Sequence, residues 1–410
     1  MTAQISTTRR SQLAEIMKDG ESVVLFANPA ANLEKFSQDC NFLYLTGLNY
    51  PDLIYIAEKK NGSFSDILFI ERSNPEREVW DGKKLQSIEA RDLSGIERIS
   101  YLDDFYTTLT GVCSTTKHLY SNLGNVAINK PLSYAMFMLE PVRQRYPHIV
   151  IDQINNLITP LRKVKSEWEI MQLQKAIDIT GKGIMDIWES ATVGMMEYEL
   201  EAMLFYRMQK SGVQRWGFAP IVAAGINAAT LHYGQNECRI EQGELVLLDV
   251  GASYNGYSAD ITRCFPISGT FSDRQKQIYA IVLKVQKSII EMIKPGVLLS
   301  ELNRATRQML IEELMGIDLI SAPEEIGKYY MHYVGHFLGM DTHDVGGREA
   351  VLEIGNVITI EPGVYISEER LGVRIEDDVL ITRDGYCVLS QNIPKEIDDI
   401  EAIRKVALNQ

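Results

Sequence analysis

Residues 245–260 constrain the fold more than any other stretch of this 410-residue chain. An apolar run, Leu245-Val246-Leu247-Leu248, leads into Asp249, a turn at or beside Asn255-Gly256 reverses direction, and the return strand carries Asp260. Asn-Gly between apolar strands is a strong hairpin signal. Turning about Tyr254–Asn255 sets the two aspartates directly opposite each other, whereas turning about Asn255–Gly256 moves the partner by two residues. Either register leaves both on one sheet face, because side chains alternate with a period of two. Neighbouring carboxylates on a half-buried face repel unless a cation sits between them. The bland alternative is that one of them faces solvent at the hairpin end.

Two later segments offer further ligands. Three of the chain's six histidines, His332, His336 and His343, fall within twelve residues. Imidazole is the commonest nitrogen ligand and general acid/base. The His332/His336 spacing would suit one helical face. However, Tyr333 stands where the zinc motif HExxH needs Glu, and Gly335 and Gly339 argue against a helix. A third segment, Val357-Ile358-Thr359-Ile360, runs into Glu361 and a Pro362-Gly363 turn. Beyond it lies Gly372-Val373-Arg374-Ile375-Glu376-Asp377-Asp378, where an unbroken strand would put Arg374, Glu376 and Asp378 on one face. Buried acids at such places need Arg or metal partners, and a salt bridge from Glu376 to Arg374 is the plain reading.

Together Asp249, Asp260, His336, Glu361 and Glu376 supply four carboxylates and one imidazole, enough charge for two divalent cations. This oxygen-rich set suits Mn²⁺, Mg²⁺, Co²⁺ or Fe²⁺ better than thiolate-loving ions, with Zn²⁺ also admitted. Two such ions could bridge a water, lower its pKa and polarise a scissile carbonyl.

The rest of the chain sets the frame. With 45% apolar and 23% charged residues it can fill a large core in each of two or three domains. Apolar runs stop well short of a bilayer span. The 41 basic against 55 acidic residues leave −14, which disfavours nucleic acid as a partner. Five scattered cysteines without a CxxC pair argue against a disulfide framework and for the cytoplasm. The N-terminus has Arg9-Arg10 but no apolar stretch of a secretory signal behind it. Pro160 is read as breaking regular structure, and Ser166-Glu167-Trp168-Glu169 as a capping box opening a long amphipathic helix. Residues 1–160 therefore form a smaller α/β domain, with strands expected over 41–46, 53–57 and 67–70 and a hairpin turn at Lys60-Asn61-Gly62-Ser63. Residues 161–410 interleave helices (roughly 166–190, 197–211, 273–293 and 298–315) with strands (roughly 244–251, 257–265, 356–362 and 372–382), an α+β pattern.

At LLDVGASYNGYSADITRCFP, HYVGHFLGMDTHDVG, ITIEPGVY and GVRIEDDVLIT the sequence resembles the dinuclear "pita-bread" metallopeptidases, most closely the Xaa-Pro aminopeptidase (aminopeptidase P) family. LRKVKSEWEI, NFLYLTGLNYPD and ERSNPEREVWDGKKL extend the resemblance over nearly the whole chain. It implies an α+β pita-bread catalytic domain behind a creatinase-type α/β domain. It also implies metal-dependent hydrolysis of the bond between an N-terminal residue and a following proline, by a water or hydroxide bridging two metals, most simply Mn²⁺. By the resemblance, Asp249 chelates one ion, Asp260 and Glu376 bridge both, and His336 and Glu361 complete the other shell. Glu361 also carries protons from the water towards the leaving imide nitrogen. His343 binds the substrate and stabilises the oxyanion, while His232 lines the proline side. His332 supports the site through hydrogen bonds, and Arg374 and Tyr365 orient carboxylates and substrate. Trp80 corresponds to a tryptophan that reaches a neighbouring subunit's pocket, in a homodimer or homotetramer whose first domain narrows access. A local packing role for Trp80 is the plainer reading.

Two alternatives remain at this stage. A prolidase shares the five ligands but must also clamp a free C-terminal carboxylate, and ERSNP…EVW together with GMDTHD favours the aminopeptidase. Non-catalytic pita-bread relatives typically lose ligands, and here none is lost. A phosphoesterase would need an Arg/Lys phosphate clamp that the motifs lack, a methionine aminopeptidase would lack the first domain, and a creatinase-type hydrolase would lack this metal set.

Overall fold

A computed structural model describes residues 2–30, 35–124, 127–213 and 215–408. The chain divides into two compact units, Met1–Leu161 and Arg162–Gln410.

The first unit is built on a six-stranded sheet in the order β4-β3-β2-β1-β5-β6. The strands are β1 (Glu21–Phe26), β2 (Ile54–Lys60), β3 (Ser63–Ile70), β4 (Ile99–Tyr101), β5 (His118–Ser121) and β6 (Val150–Gln153). β1, β2 and β3 form an antiparallel meander, and β4, β5 and β6 are added in parallel. Lys60 pairs with Ser63 across Asn61-Gly62, both left-handed at φ 50° and 76°, as a two-residue hairpin of this sequence requires. Val24, Phe26, Ile56, Phe69 and Leu119 of the sheet pack with Phe105, Leu109 and Leu139 from helices Phe105–Cys113 and Tyr134–Arg145.

One expected strand is a helix: residues 41–46 lie in Cys40–Thr46. The Asp39 carboxylate accepts from the Phe42 N–H at 2.8 Å, and Gly47 ends the helix in the left-handed region at φ 72°. The short apolar run is buried on most sides, so periodicity alone could not tell strand from helix, and the caps decide. Pro160 likewise lies inside the helix Asn155–Lys163 rather than ending it.

In the second unit the helices Glu167–Ser190, Glu197–Lys210, Asp273–Glu291, Leu299–Gly316 and Ile397–Leu408 surround short antiparallel ladders. On the first helix Leu173, Ile177, Ile184, Ile187 and Trp188 are buried, as their spacing predicts, with Ile170 half-buried. The reciprocal arm of the capping box is formed, with the Ser166 N–H donating to Glu169 Oε2 at 2.9 Å. The Ser166 hydroxyl donates to the same oxygen at 2.7 Å.

β7 (Ile221–Ala224), β8 (Leu245–Val250) and β11 (Ile261–Pro266) form one sheet in the order β11-β8-β7. The short pair β9 (Ser253–Tyr254) and β10 (Tyr257–Ser258) closes the hairpin across Asn255-Gly256, at φ 50° and 83°. Of the two registers, the turn at Asn255–Gly256 is the one formed. Asp249 faces Thr262, and Asp260 lies two residues before Thr262, just outside the ladder. The expected strand over 257–265 is interrupted at Ala259-Asp260. There a Cβ on Gly251 would stand 1.8 Å from the Ala259 carbonyl oxygen, so only glycine lets the strands approach.

The remaining ladders are β12 (Val357–Ile360) with β15 (Asp377–Thr382) and β16 (Gly385–Val388), and β13 (Gly363–Ile366) with β14 (Leu371–Arg374). The expected strand over 372–382 is therefore split at Ile375-Glu376. β14 is committed to β13 and β15 to β12, while the Ile375 and Glu376 N–H groups donate to the carbonyls of Pro362 and Thr262. Simple alternation through Glu376 does not hold for this reason.

Candidate metal centre

Each acid sits where a ladder ends or breaks. Asp249 is the fifth residue of β8, Asp260 fills the gap before β11, Glu361 follows β12, and Glu376 fills the gap between β14 and β15. The breaks let carboxylates from separate ladders converge, while the adjoining strands bury them. The Asp260 N–H donates to Asp378 Oδ2 at 3.2 Å, and the Glu361 N–H to the Val334 carbonyl at 2.8 Å.

His336 lies in a non-helical segment threaded against β12. Its N–H donates to Thr359 Oγ1 at 3.1 Å, and its carbonyl accepts from the Thr359 N–H at 2.9 Å. Gly335 allows this close passage, since a Cβ there would lie 1.9 Å from the Thr359 carbonyl oxygen. His336 Nδ1 is 3.0 Å from the Phe337 carbonyl, which can only accept. That bond puts the proton on Nδ1 in the neutral ring and turns Nε2 to the acids, 3.3 Å from Asp260 Oδ2 and 3.7 Å from Glu361 Oε1. One ligand atom each from Asp260, His336 and Glu376 lie within 4.8 Å of one another.

Asp249 joins from the other side. Arg374 Nη2 donates to Asp249 Oδ2 at 2.5 Å, while buried Asp249 Oδ1 has no hydrogen-bond partner. The salt bridge expected between Arg374 and Glu376 is replaced by this one. Arg374 Nη1 donates to the Tyr365 hydroxyl oxygen at 2.8 Å, which lies 2.8 Å from His332 Nε2. His332 Nδ1 sits 2.8 Å from the Tyr333 carbonyl and carries the proton, so Nε2 accepts from Tyr365.

The electrostatics describe a site with excess negative charge. Burial raises the Asp260 carboxyl to about 6, eased by the His336 hydrogen bond and pushed further by Asp249. Burial likewise raises Glu361 to about 7 and holds Glu376 well above the carboxylate range, with Asp260 and Glu361 adding to the latter. His336, although burial opposes its charge, is lifted to about 9 by Asp260 and Glu361. Burial and then Arg374 push His332 down to about 4, which keeps it neutral. A partnerless buried carboxylate oxygen and three carboxyls that resist ionising together are what a divalent cation would relieve. The donor set fits such an ion.

The exposed histidines flank this buried floor. His343 is solvent-exposed, its ring centroid 4.3 Å from that of His336 and tilted 76°. Burial and then His336 and His232 lower its pKa. His232 is also exposed, and its nearness helps lower the pKa of both His332 and His343. Trp80 lies in the first unit, on helix Pro75–Asp81, and is 87% exposed. Thr262 was not among the residues singled out from the sequence. Its one signal was its place opposite Asp249 in the hairpin register that formed.

Among known proteins, the family described as "Metallopeptidase family M24" matches residues 171–383, within the second unit. "Aminopeptidase P, N-terminal domain" matches residues 6–120, within the first. The chain is 32% identical to the Xaa-Pro aminopeptidase of Haemophilus influenzae, over 96% of this chain and 95% of that one. It is 33% identical to mouse Xaa-Pro aminopeptidase 3, over 93% and 80% respectively. The structure of Escherichia coli aminopeptidase P with the inhibitor Pro-Leu superposes with a TM-score of 0.90 at 30% identity, covering 100% of both chains. The chain belongs to metallopeptidase family M24, its pita-bread unit preceded by the amino-terminal domain of aminopeptidase P.

Proposed function

We propose that this chain is a metal-dependent Xaa-Pro aminopeptidase, a hydrolase that removes the N-terminal residue from peptides with proline second. The observation that carries the reading is the convergence of Asp260, His336 and Glu376 on one small volume, in a chain alike to Xaa-Pro aminopeptidases from end to end. Asp249, Asp260, His336, Glu361 and Glu376 would hold two divalent ions, with Mn²⁺ the first candidate for this oxygen-rich set. When bound, these ions supply Lewis acidity and lower the pKa of water at the site.

The chain's own groups do the rest. Glu361 takes a proton and returns it to the leaving nitrogen. That return matters because the imide nitrogen of an Xaa-Pro bond has no N–H of its own. His343, exposed beside His336, donates to the substrate carbonyl oxygen as it gains charge. His232 lines the proline side, and neutral His332 with Tyr365 and Arg374 keeps the acids oriented.

The first unit, as the domain 1–160, would serve assembly into a homodimer or homotetramer and narrow access, with exposed Trp80 reaching a neighbouring copy. No helix among the described residues is long and apolar enough to cross a membrane. Five scattered cysteines without a CxxC pair support a cytoplasmic setting.

The test uses protein stripped with EDTA and reloaded with Mn²⁺, assayed on Xaa-Pro-Yaa tripeptides, longer Xaa-Pro peptides and Xaa-Pro dipeptides. Metal-dependent release of the first residue from tripeptides and longer peptides is expected. Cleavage of dipeptides alone would make the enzyme a prolidase, and no cleavage after reloading would end the peptidase reading.

A further inference from the structure

Thr262 has no part in the reaction as set out above, yet two of the acids meet at it. It faces Asp249 across the ladder, and its carbonyl accepts from the Glu376 N–H at 3.1 Å. Its side chain is fully buried and makes two hydrogen bonds. Arg374 Nε lies 3.1 Å from Oγ1, and Glu376 Oε2 lies 2.7 Å from it. A guanidinium has donors only, so Oγ1 must accept from Arg374, and the single hydroxyl proton goes to Glu376. The polarity of the whole run is thereby fixed, from Glu376 through Thr262 to Arg374 and on to Asp249 Oδ2.

We propose that the Thr262 hydroxyl is a positioning residue for the metal centre: it tethers one oxygen of Glu376 directly and one oxygen of Asp249 through Arg374. The opposite oxygens are then presented in fixed directions. Asp249 Oδ1 is the partnerless one, and Glu376 supplies an atom to the group shared with Asp260 and His336. A side chain of the same shape without the hydroxyl would leave Glu376 free to rotate and Arg374 Nε without this acceptor. Loss of such an outer contact costs ~10–100-fold in metal affinity. The inference rests on the two-metal reading.

The experiment compares two pairs that differ by the hydroxyl: wild type with Thr262→Val, which keeps the shape, and Thr262→Ser with Thr262→Ala, which both lack the methyl. Each stripped protein is titrated calorimetrically with MnCl₂, bound ions are counted by electron paramagnetic resonance, and the fold is checked by circular dichroism. Wild type and Thr262→Ser are expected to bind two ions with similar affinity. Thr262→Val and Thr262→Ala should bind at least one of them ~10–100-fold more weakly. Equal affinities within each pair, with wild type binding two ions, would overturn the role of Thr262 and leave the two-metal reading intact. A wild type that takes up no Mn²⁺ would overturn both. Should Thr262→Val fail to fold, the Ser/Ala pair decides alone.

Discussion

Arg374 binds Asp249, with 2.5 Å between Nη2 and Oδ2, and not Glu376, the acid two residues along its own chain. The pair joins β14 to β8, so the guanidinium both neutralises a buried carboxylate and fixes which of its oxygens is left over.

Removing that cation strands Asp249. Leaving one partner of a buried pair costs ~3–5 kcal/mol, and in a unit of this size that lowers the melting temperature by on the order of 10 °C. Arg374→Met is expected to show this loss in metal-free protein, with part of it recovered on adding Mn²⁺. Calorimetry with and without the ion measures both. An unchanged melting temperature would mean that Asp249 does not depend on Arg374.

The proposed ligands and the exposed histidine should separate by what their variants lose. Asp260→Asn is expected to abolish turnover, because it removes charge at the centre of the group with His336 and Glu376. His343→Ala should lower turnover by ~100-fold or more, the scale of a lost oxyanion donor, while bound metal stays near the wild-type level. Elemental analysis alongside steady-state rates decides, and a His343→Ala protein that loses its metal would place His343 among the ligands.

Protons and cations would compete for the proposed site. With Asp260 at about 6, Glu361 at about 7 and His336 at about 9, Mn²⁺ binding must displace protons. Apparent affinity should rise between pH 5 and about 9, with proton uptake by the buffer visible in titrations run in buffers of different ionisation enthalpy. The metal-free protein follows the same linkage. Carboxyls raised above their unfolded values near 4 lose stability as pH climbs through about 6 and 7, and raised His336 loses its contribution as pH passes about 9. Asp344, lowered by Arg162 and Lys165, and Asp377, lowered by Arg263 and Lys395, act oppositely and lose theirs only as pH falls below about 4. Urea midpoints of stripped protein should therefore be lower at pH 9 than at pH 5.

Glu197 anchors the loop that carries His232. Fully buried at the start of helix Glu197–Lys210, it accepts from Ala224 N at 2.8 Å, Asn227 Nδ2 at 2.9 Å, Tyr233 Oη at 2.7 Å and Cys238 N at 2.9 Å. Glu197→Gln turns an amide N–H₂ towards these donors, which should cost ~1–3 kcal/mol and raise KM more than it lowers kcat. Denaturation midpoints and tripeptide kinetics test the two halves, and an unaltered KM would separate the loop from substrate binding.

Local chemistry was legible where the decision was local. Asn61-Gly62 and Asn255-Gly256 form their hairpin turns, and the long helix opens at Ser166. The apolar pattern of residues 41–46 suits a strand as well as a helix, and the caps at Asp39 and Gly47 carry the information that decides. The breaks at Asp260 and Glu376 could not be read at all, since each is decided by a partner far along the chain. Glu376 turns out of its strand to meet Thr262, and Arg374 passes over a neighbouring acid for one on β8. Thr262 itself looks like any β-branched residue in a strand until its two hydrogen bonds are seen. Resemblance marked Tyr365, and only the structure shows it held between Arg374 and His332.

The Thr262–Glu376 hydrogen bond joins positions 114 residues apart, and a cation gripped by Asp260 and Glu376 would fasten the same two places. Everything between them, including helices Asp273–Glu291 and Leu299–Gly316, is one long loop with its clasp at the reacting centre. Closure entropy grows only slowly with length, ~0.6 kcal/mol per doubling, so such a clasp restrains a great deal of chain. A backbone nick inside the loop would leave two fragments pinned together at this point, and a chelator would then act on them as a reductant acts on a disulfide.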